Sequence, residues 1–162
     1  MLETMVSANG NDPTEIRNWQ RRSDRLTTSG KLEAHDPARL AEIGVRQVIN
    51  LALDDHPEAL KNESELLVAL GITYTHIPVP FDAPDMRHVT ALRDALDSVD
   101  GPSHVHCIMN YRVTAFLYLL DCKAGAAPLE ARAKMQEIWN PIASDDPFAS
   151  PWRDFLLSAD ET

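Results

Sequence analysis

The stretch that most constrains the fold is SHVHCIMNYRVTAFLYLL, residues 103–120. Its first residues alternate as a short buried strand around Val105, and the run from Val113 to Leu120 is almost wholly apolar at helical length. Between them Cys107 to Arg112 form a six-residue loop, so strand, loop and helix follow one another directly. Cys107 then stands at a helix N-terminus. Unpaired N–H groups and the positive end of the macrodipole favour anions there, and hence the thiolate, the nucleophilic form of cysteine. Arg112 closes the same loop, and its planar guanidinium fork suits bidentate binding of a tetrahedral oxyanion. Nucleophile and anion clamp share one turn.

The segments around this stretch alternate between helix and strand. Residues 14–22 read as a short helix with Ile16 and Trp19 on one side, and residues 26–31 (LTTSGK) as an edge strand ending at Gly30. Asp36-Pro37 is a helix start, with Asp36 as cap, Pro37 at the first helical position and Leu40 and Ile43 at core spacing before Gly44. Residues 45–53 (VRQVINLAL) are nearly continuously apolar and β-branched, which predicts a central parallel strand covered on both faces. Residues 57–70 carry Leu60, Leu66, Leu67 and Leu70 at helical spacing, and residues 72–79 (ITYTHIPV) read as a strand. After the turn PFDAPD, Asp85 caps a helix that presents Met86, Val89, Leu92, Leu96 and Val99 on one face. Further helices are predicted over residues 128–139 and from Pro151, the latter with Trp152, Phe155, Leu156 and Ala159 spaced for docking on a sheet.

This alternation predicts an α/β fold: a single domain with a mostly parallel central sheet of about four or five strands and helices on both faces. Ligands in such sheets bind at the carboxyl ends of strands, where Cys107 lies. Residues 1–24 are expected to be a loosely ordered N-terminal segment and residues 25–162 the α/β domain. The 15 basic against 25 acidic residues, a formal charge of −10, argue against nucleic acid or an anionic membrane as partner. No window reaches the roughly 18 apolar residues of a membrane span, and no basic start precedes an apolar core, so a cytoplasmic chain is expected. Cys107 and Cys122 lie about 15 Å apart along one predicted helix, beyond disulfide reach, and Cys122 reads as core filler. His104 and His106 point the same way from their strand, but without further ligands at regular spacing they read as packing. With no Gly-rich nucleotide fingerprint either, neither metal nor cofactor is expected.

His106-Cys107, followed by Arg112 and Thr114, resembles the signature loop of the cysteine-dependent protein tyrosine and dual-specificity phosphatases. The order of elements over residues 25–160 is similar to that of a compact dual-specificity phosphatase. The family pattern is His-Cys-x5-Arg-Ser/Thr with a glycine inside the loop; this chain has Cys-x4-Arg, Asn110 at the glycine and Val113 directly after the arginine. The asparagine is the mildest departure, because its side chain tolerates left-handed backbone. The resemblance implies a phosphate-monoester hydrolase working through a cysteinyl-phosphate. Cys107 would attack phosphorus, and Arg112 with the N–H groups of Ile108, Met109, Asn110, Tyr111 and Arg112 would hold the equatorial oxygens. His106 and Thr114 would support the loop. The leaving-group acid would be Asp82, on the loop after the strand that precedes the signature strand; Asp85 lies there too but is better explained as a cap.

The implied partner is a phosphorylated small molecule or phosphoprotein, with oligomeric state unassigned. Two alternatives stay open. The six-residue loop is similar in length to that of rhodaneses, which fits a sulfur carrier or sulfurtransferase using a Cys107 persulfide. The absent loop residue and the departures at positions 110 and 113 also fit a non-catalytic module that binds an oxyanion through the helix dipole and Arg112.

Overall fold

The segments rich in Val, Ile and Thr become short strands that pair in parallel. In the computed structural model, which describes residues 11–160, these are β2 (Leu26–Ser29), β3 (Gln47–Asn50), β4 (Thr73–His76) and β5 (Ser103–His106). A fifth strand, β1 (Gln20–Ser23), adds to β2 antiparallel, giving the sheet order β1-β2-β5-β3-β4. The connections are α1 (Asp36–Glu42), α2 (Glu63–Ala69) and α3 (Met86–Asp97), followed by α4 (Tyr111–Lys123), α5 (Pro128–Gln136) and α6 (Ser150–Asp160). The expected single-domain α/β sheet with both faces covered is therefore present. β5 is its middle strand: His106 pairs with Ser29 on one side and Asn50 on the other, so three strands end level beside Cys107.

The two faces have separate cores because neighbouring strand residues point to opposite sides. Ile49 and Val105 pack with α3, α4, α5 and α6, around the buried Phe116, Tyr118 and Trp152. Val48 faces the other way, into a smaller core with Leu40 of α1, Leu67 of α2, Ile16 and Leu32. α4 delivers eight consecutive buried residues, Arg112 to Leu119, which suits a helix enclosed by the sheet and its neighbours.

Four local expectations are corrected, the last being Asp36 as a helix cap. Residues 14–22 are not a helix: Asn18 has a left-handed backbone (φ 50°) that no helix propagates, and the chain turns into β1 instead. With β1 alongside it, β2 is an inner strand and not an edge, and the sheet begins before residue 25. The helix read over residues 57–70 forms only from Glu63, because Asn62 (φ 62°) is also left-handed and residues 51–62 run as an irregular loop. Asp36 occupies the first helical position after His35, and its Oδ2 accepts the Glu33 N–H at 2.7 Å. The expected cap at Asp85 is present, its carboxylate accepting the Arg87 N–H at 2.8 Å. The loose segment expected at the start falls in part on residues 1–10, outside the described residues. From Asp12 onward the chain is tied down by the Arg21–Asp12 pair and buried Ile16.

His104 joins β5 to β2 through two hydroxyls, Thr27 Oγ1 at Nδ1 and Ser29 Oγ at Nε2, both at 2.8 Å. Complete burial, and then the neighbouring His106, push its pKa well below 6.5, so it is held neutral. A base whose folded pKa is depressed stabilises fully above its unfolded value and loses that contribution as pH falls below it, since the unfolded chain then binds the extra proton. Urea midpoints should fall between about pH 7.5 and 5.5, with a slope approaching about 1.4 kcal/mol per pH unit from this group. His104→Gln should remove that part of the slope, and an unchanged slope in the variant would refute the assignment.

Candidate active site

The loop between β5 and α4 is held by its carbonyls. Cys107 O faces His106 Nδ1 at 3.2 Å, Ile108 O accepts the Lys31 N–H at 2.9 Å, and Met109 O accepts from Asn18 Nδ2 at 2.9 Å. Asn110 O accepts both the N–H (3.1 Å) and the hydroxyl (3.0 Å) of Thr114. A trans peptide sets its N–H opposite its C=O. Four consecutive carbonyls bonded to the surrounding frame therefore turn the N–H groups of Ile108, Met109, Asn110 and Tyr111 the other way. The first N–H groups of α4 add to this set, since a helix start has no intrahelical acceptors for them. Such a run of donors at a helix N-terminus is an anion cradle.

Asn110 makes this turn possible without glycine. Its backbone is left-handed (φ 68°), and its side-chain Nδ2 donates to Asn18 O at 2.8 Å and Thr28 Oγ1 at 2.9 Å. Its side chain thus faces the frame, and Asn110 is not among the residues lining the cavity at this loop. Thr114 likewise lies buried, its hydroxyl donating back to Asn110 O at the start of the helix. Gly30 is required by close approach: a Cβ there would lie 2.4 Å from Ile108 O.

A cavity of about 440 Å³ opens over the loop, with Cys107, Ile108, Met109, Tyr111 and Arg112 in its floor and side. Cys107 is a free thiol, buried beneath this cavity. Arg112 is only 6% exposed and is aimed by two contacts: Nη1 donates to Val79 O at 2.9 Å, and its guanidinium carbon lies 5.6 Å over the Phe81 ring. Its Nε is buried with no partner among the described residues. A buried guanidinium N–H without an acceptor is costly, and an oxyanion in the cavity supplies the acceptor the fork lacks. Phe81, stacked on Phe148 at 5.2 Å, forms an aromatic wall with Tyr111, which stacks on Trp139 at 4.6 Å.

The opposite wall comes from a loop to which the sequence reading assigned no role. Leu53, Asp55, His56 and Pro57 all line the cavity. This loop is latched by Glu58, which pairs with Arg17 at 3.1 Å and Lys31 at 3.4 Å; the Arg17 hydrogen bond holds Glu58 below the usual carboxylate range. Asp82 is exposed and does not line the cavity. Asp85 is engaged with Arg87, whose N–H bond, ahead of its side chain, lowers the Asp85 pKa. Asp55 is the carboxylate in the wall, and its signal in the sequence was its position just beyond the carboxyl end of β3. His104 and His106 have every ring nitrogen engaged, and among the described residues no three His, Cys, Asp or Glu side chains gather as a metal-holding group. No helix of the described residues is long and apolar enough to cross a membrane.

The geometry assigns Gly30 a specific role that a substitution can check. Gly30→Ala should displace the Ile108 carbonyl and destabilise the fold by about 1–3 kcal/mol, as read by urea denaturation. Unaltered stability in the variant would refute it.

Comparisons with known proteins agree with the fold and locate this loop in a family. The profile of the phosphatase-like domain of beta-lactamase hydrolase-like proteins matches residues 19–124. Among solved structures, a DUF442 protein of Shewanella putrefaciens, described as a candidate phosphatase, is similar with 29% identity, covering 90% of each chain at a TM-score of 0.79. P. aeruginosa TpbA, solved in complex with phosphotyrosine, shares the fold at 22% identity, covering 93% of this chain and 94% of its own at a TM-score of 0.67. A search of curated proteins returns no match.

Proposed function

The chain belongs to the phosphatase-like domain family of beta-lactamase hydrolase-like proteins, and on that premise we propose that it hydrolyses phosphate monoesters through a cysteinyl-phosphate on Cys107. The observation that carries this reading is the buried, unpartnered Nε of Arg112 beside a cavity that reaches the Cys107 thiol. In the proposed reaction the Cys107 thiolate attacks phosphorus, the P–S bond forms and the P–O bond to the leaving group breaks. Arg112 and the N–H groups of the loop hold the three equatorial oxygens. The leaving oxygen takes a proton from a carboxylic acid, and water then cleaves the thiophosphate ester, returning the thiol and inorganic phosphate.

Two exposed carboxylates flank the cavity for the proton transfer. Asp55 lies in the wall, whereas Asp82 lies one residue beyond Phe81 and outside it. Position favours Asp55. The organic part of the ester meets Phe81, Tyr111 and Phe148, so a flat apolar group such as an aryl ring fits better than a polyol. The chain's charge of −10 means that an anionic substrate is drawn by this local arrangement and not by the whole molecule.

Purified protein should hydrolyse an aryl phosphate, Cys107→Ser should abolish turnover, and Arg112→Lys should lower kcat/KM by about 10²- to 10³-fold because a point charge cannot replace the fork. Full activity in Cys107→Ser would end the mechanism. Asp55→Asn should cost more in kcat than Asp82→Asn, by about tenfold or more; the reverse order returns the acid role to Asp82. The six-residue loop also supports a sulfur-carrier reading, in which the same donors hold a persulfide on Cys107. Mass spectrometry after thiosulfate treatment separates the two: added sulfur on Cys107 together with no aryl phosphatase activity selects the second.

A further inference from the structure

We propose that Glu63 is the positioning residue of the nucleophile, acting through His106. Glu63 opens α2, far from Cys107 in sequence, yet it is only 6% exposed. Its Oε2 lies 2.6 Å from His106 Nε2, and the two side chains are 5% and 4% exposed. Its other oxygen faces Asn50 Nδ2 at 3.4 Å, and Asn50 is itself fixed by the Ala52 N–H (2.9 Å) and by Tyr74 OH (3.2 Å). Burial, and then the charge of Glu63, push the Tyr74 phenol up to about 12, so it stays a neutral partner. A buried carboxylate placed in this way would be costly without a hydrogen on His106 to receive.

The consequence follows from the two sides of one imidazole. Nε2 faces a carboxylate oxygen and Nδ1 faces the Cys107 carbonyl oxygen at 3.2 Å. A carbonyl only accepts, so the bond to Cys107 O needs hydrogen on Nδ1. A neutral ring with hydrogen on Nε2 alone would set a lone pair against that carbonyl and push the Cys107–Ile108 peptide round. With both contacts made as hydrogen bonds, Nδ1 donates to the Cys107 carbonyl and the 2.6 Å contact with Glu63 holds a second hydrogen between carboxyl and Nε2. The contrast with His104 two residues earlier supports the assignment. Ser29 Oγ donates to Gly30 O at 2.8 Å, so toward His104 Nε2 it accepts, and Thr27 donates to Nδ1; His104 therefore carries its hydrogen on Nε2. Adjacent rings on one face of β5, with centroids 6.3 Å apart, are set in opposite ways by their partners.

Holding the Cys107 carbonyl toward the ring turns the Ile108 N–H away from it, so Glu63 fixes both the thiol's own peptide and the first donor of the cradle. The inference rests on Cys107 being the reactive thiol of the proposed reaction, and its tests are chosen to survive failure of that reading. Nitrogen-15 spectra of the histidines in the intact protein should show hydrogen on Nδ1 of His106; a bare Nδ1 overturns the proposal outright. Glu63→Gln keeps the bond, since its amide donates to Nε2 and its oxygen still accepts from Asn50, so Nδ1 should stay protonated and Cys107 should alkylate with iodoacetamide within about threefold of the wild-type rate at neutral pH. Glu63→Ala should slow that alkylation at least about fivefold and lower kcat on an aryl phosphate by about 10- to 100-fold. Leu67→Ala, a core truncation in the same helix, should lower thermal stability without either change. Equal alkylation in Glu63→Ala and Leu67→Ala would reduce Glu63 to a packing role and refute the proposal. Absence of any aryl phosphatase activity in the wild-type protein would instead refute the phosphatase reading, leaving the spectra and alkylation rates to decide the part played by Glu63.

Discussion

The site depends on where the carbonyls of four residues go. Cys107, Ile108, Met109 and Asn110 each give their C=O to a group outside the loop, namely His106, Lys31, Asn18 and Thr114. Buried backbone polar groups must be paired, and pairing every carbonyl on one side collects the N–H groups on the other. The cradle is thus a by-product of satisfying the frame. That frame is supplied by four different parts of the chain: the segment before β1, the turn after β2, the end of β5 and the first turn of α4.

The middle position of β5 provides the rigidity this requires. Flanked on both sides by parallel partners and buried at all four residues, the strand cannot shift register without moving His104 and His106 into the opposite core. α4, buried along most of its length, fixes the other end of the loop. Between these two anchors the chain has four residues, Cys107 to Asn110, to reverse direction, and the left-handed backbone of the last of them does so. Asn110 also adds two side-chain hydrogen bonds that a glycine would lack.

Electrostatically the molecule is two-tiered. Its surface is strongly acidic, whereas the cavity floor holds a guanidinium, a helix start and inward N–H groups, with Arg17 and Lys31 tied to Glu58 of the adjacent loop. A low-dielectric pocket strengthens such a local arrangement relative to charges on the surface. The aromatic wall is flat and apolar, because Phe81 and Phe148 stack with nearly parallel rings.

The sequence by itself determined the strand-loop-helix unit around Cys107, the α/β class with a covered parallel sheet, the cap at Asp85 and the placing of Cys107 and Arg112 at the two ends of one short stretch. These rest on local periodicity and on spacing within one turn, which a linear reading contains. Tertiary structure decided the rest. The fragment containing Trp19 became the approach to β1 because Asn18 breaks the helix and a strand edge of β2 lies open to it. Asp55 entered the wall and Asp82 did not because loop direction after a strand depends on packing far away in sequence. In the sequence, Glu63 lies inside the stretch read as a helix over residues 57–70, and nothing marks it out. Only the docking of α2 over β5 brings its carboxylate to 2.6 Å from His106, and no spacing rule connects positions that the fold alone makes neighbours.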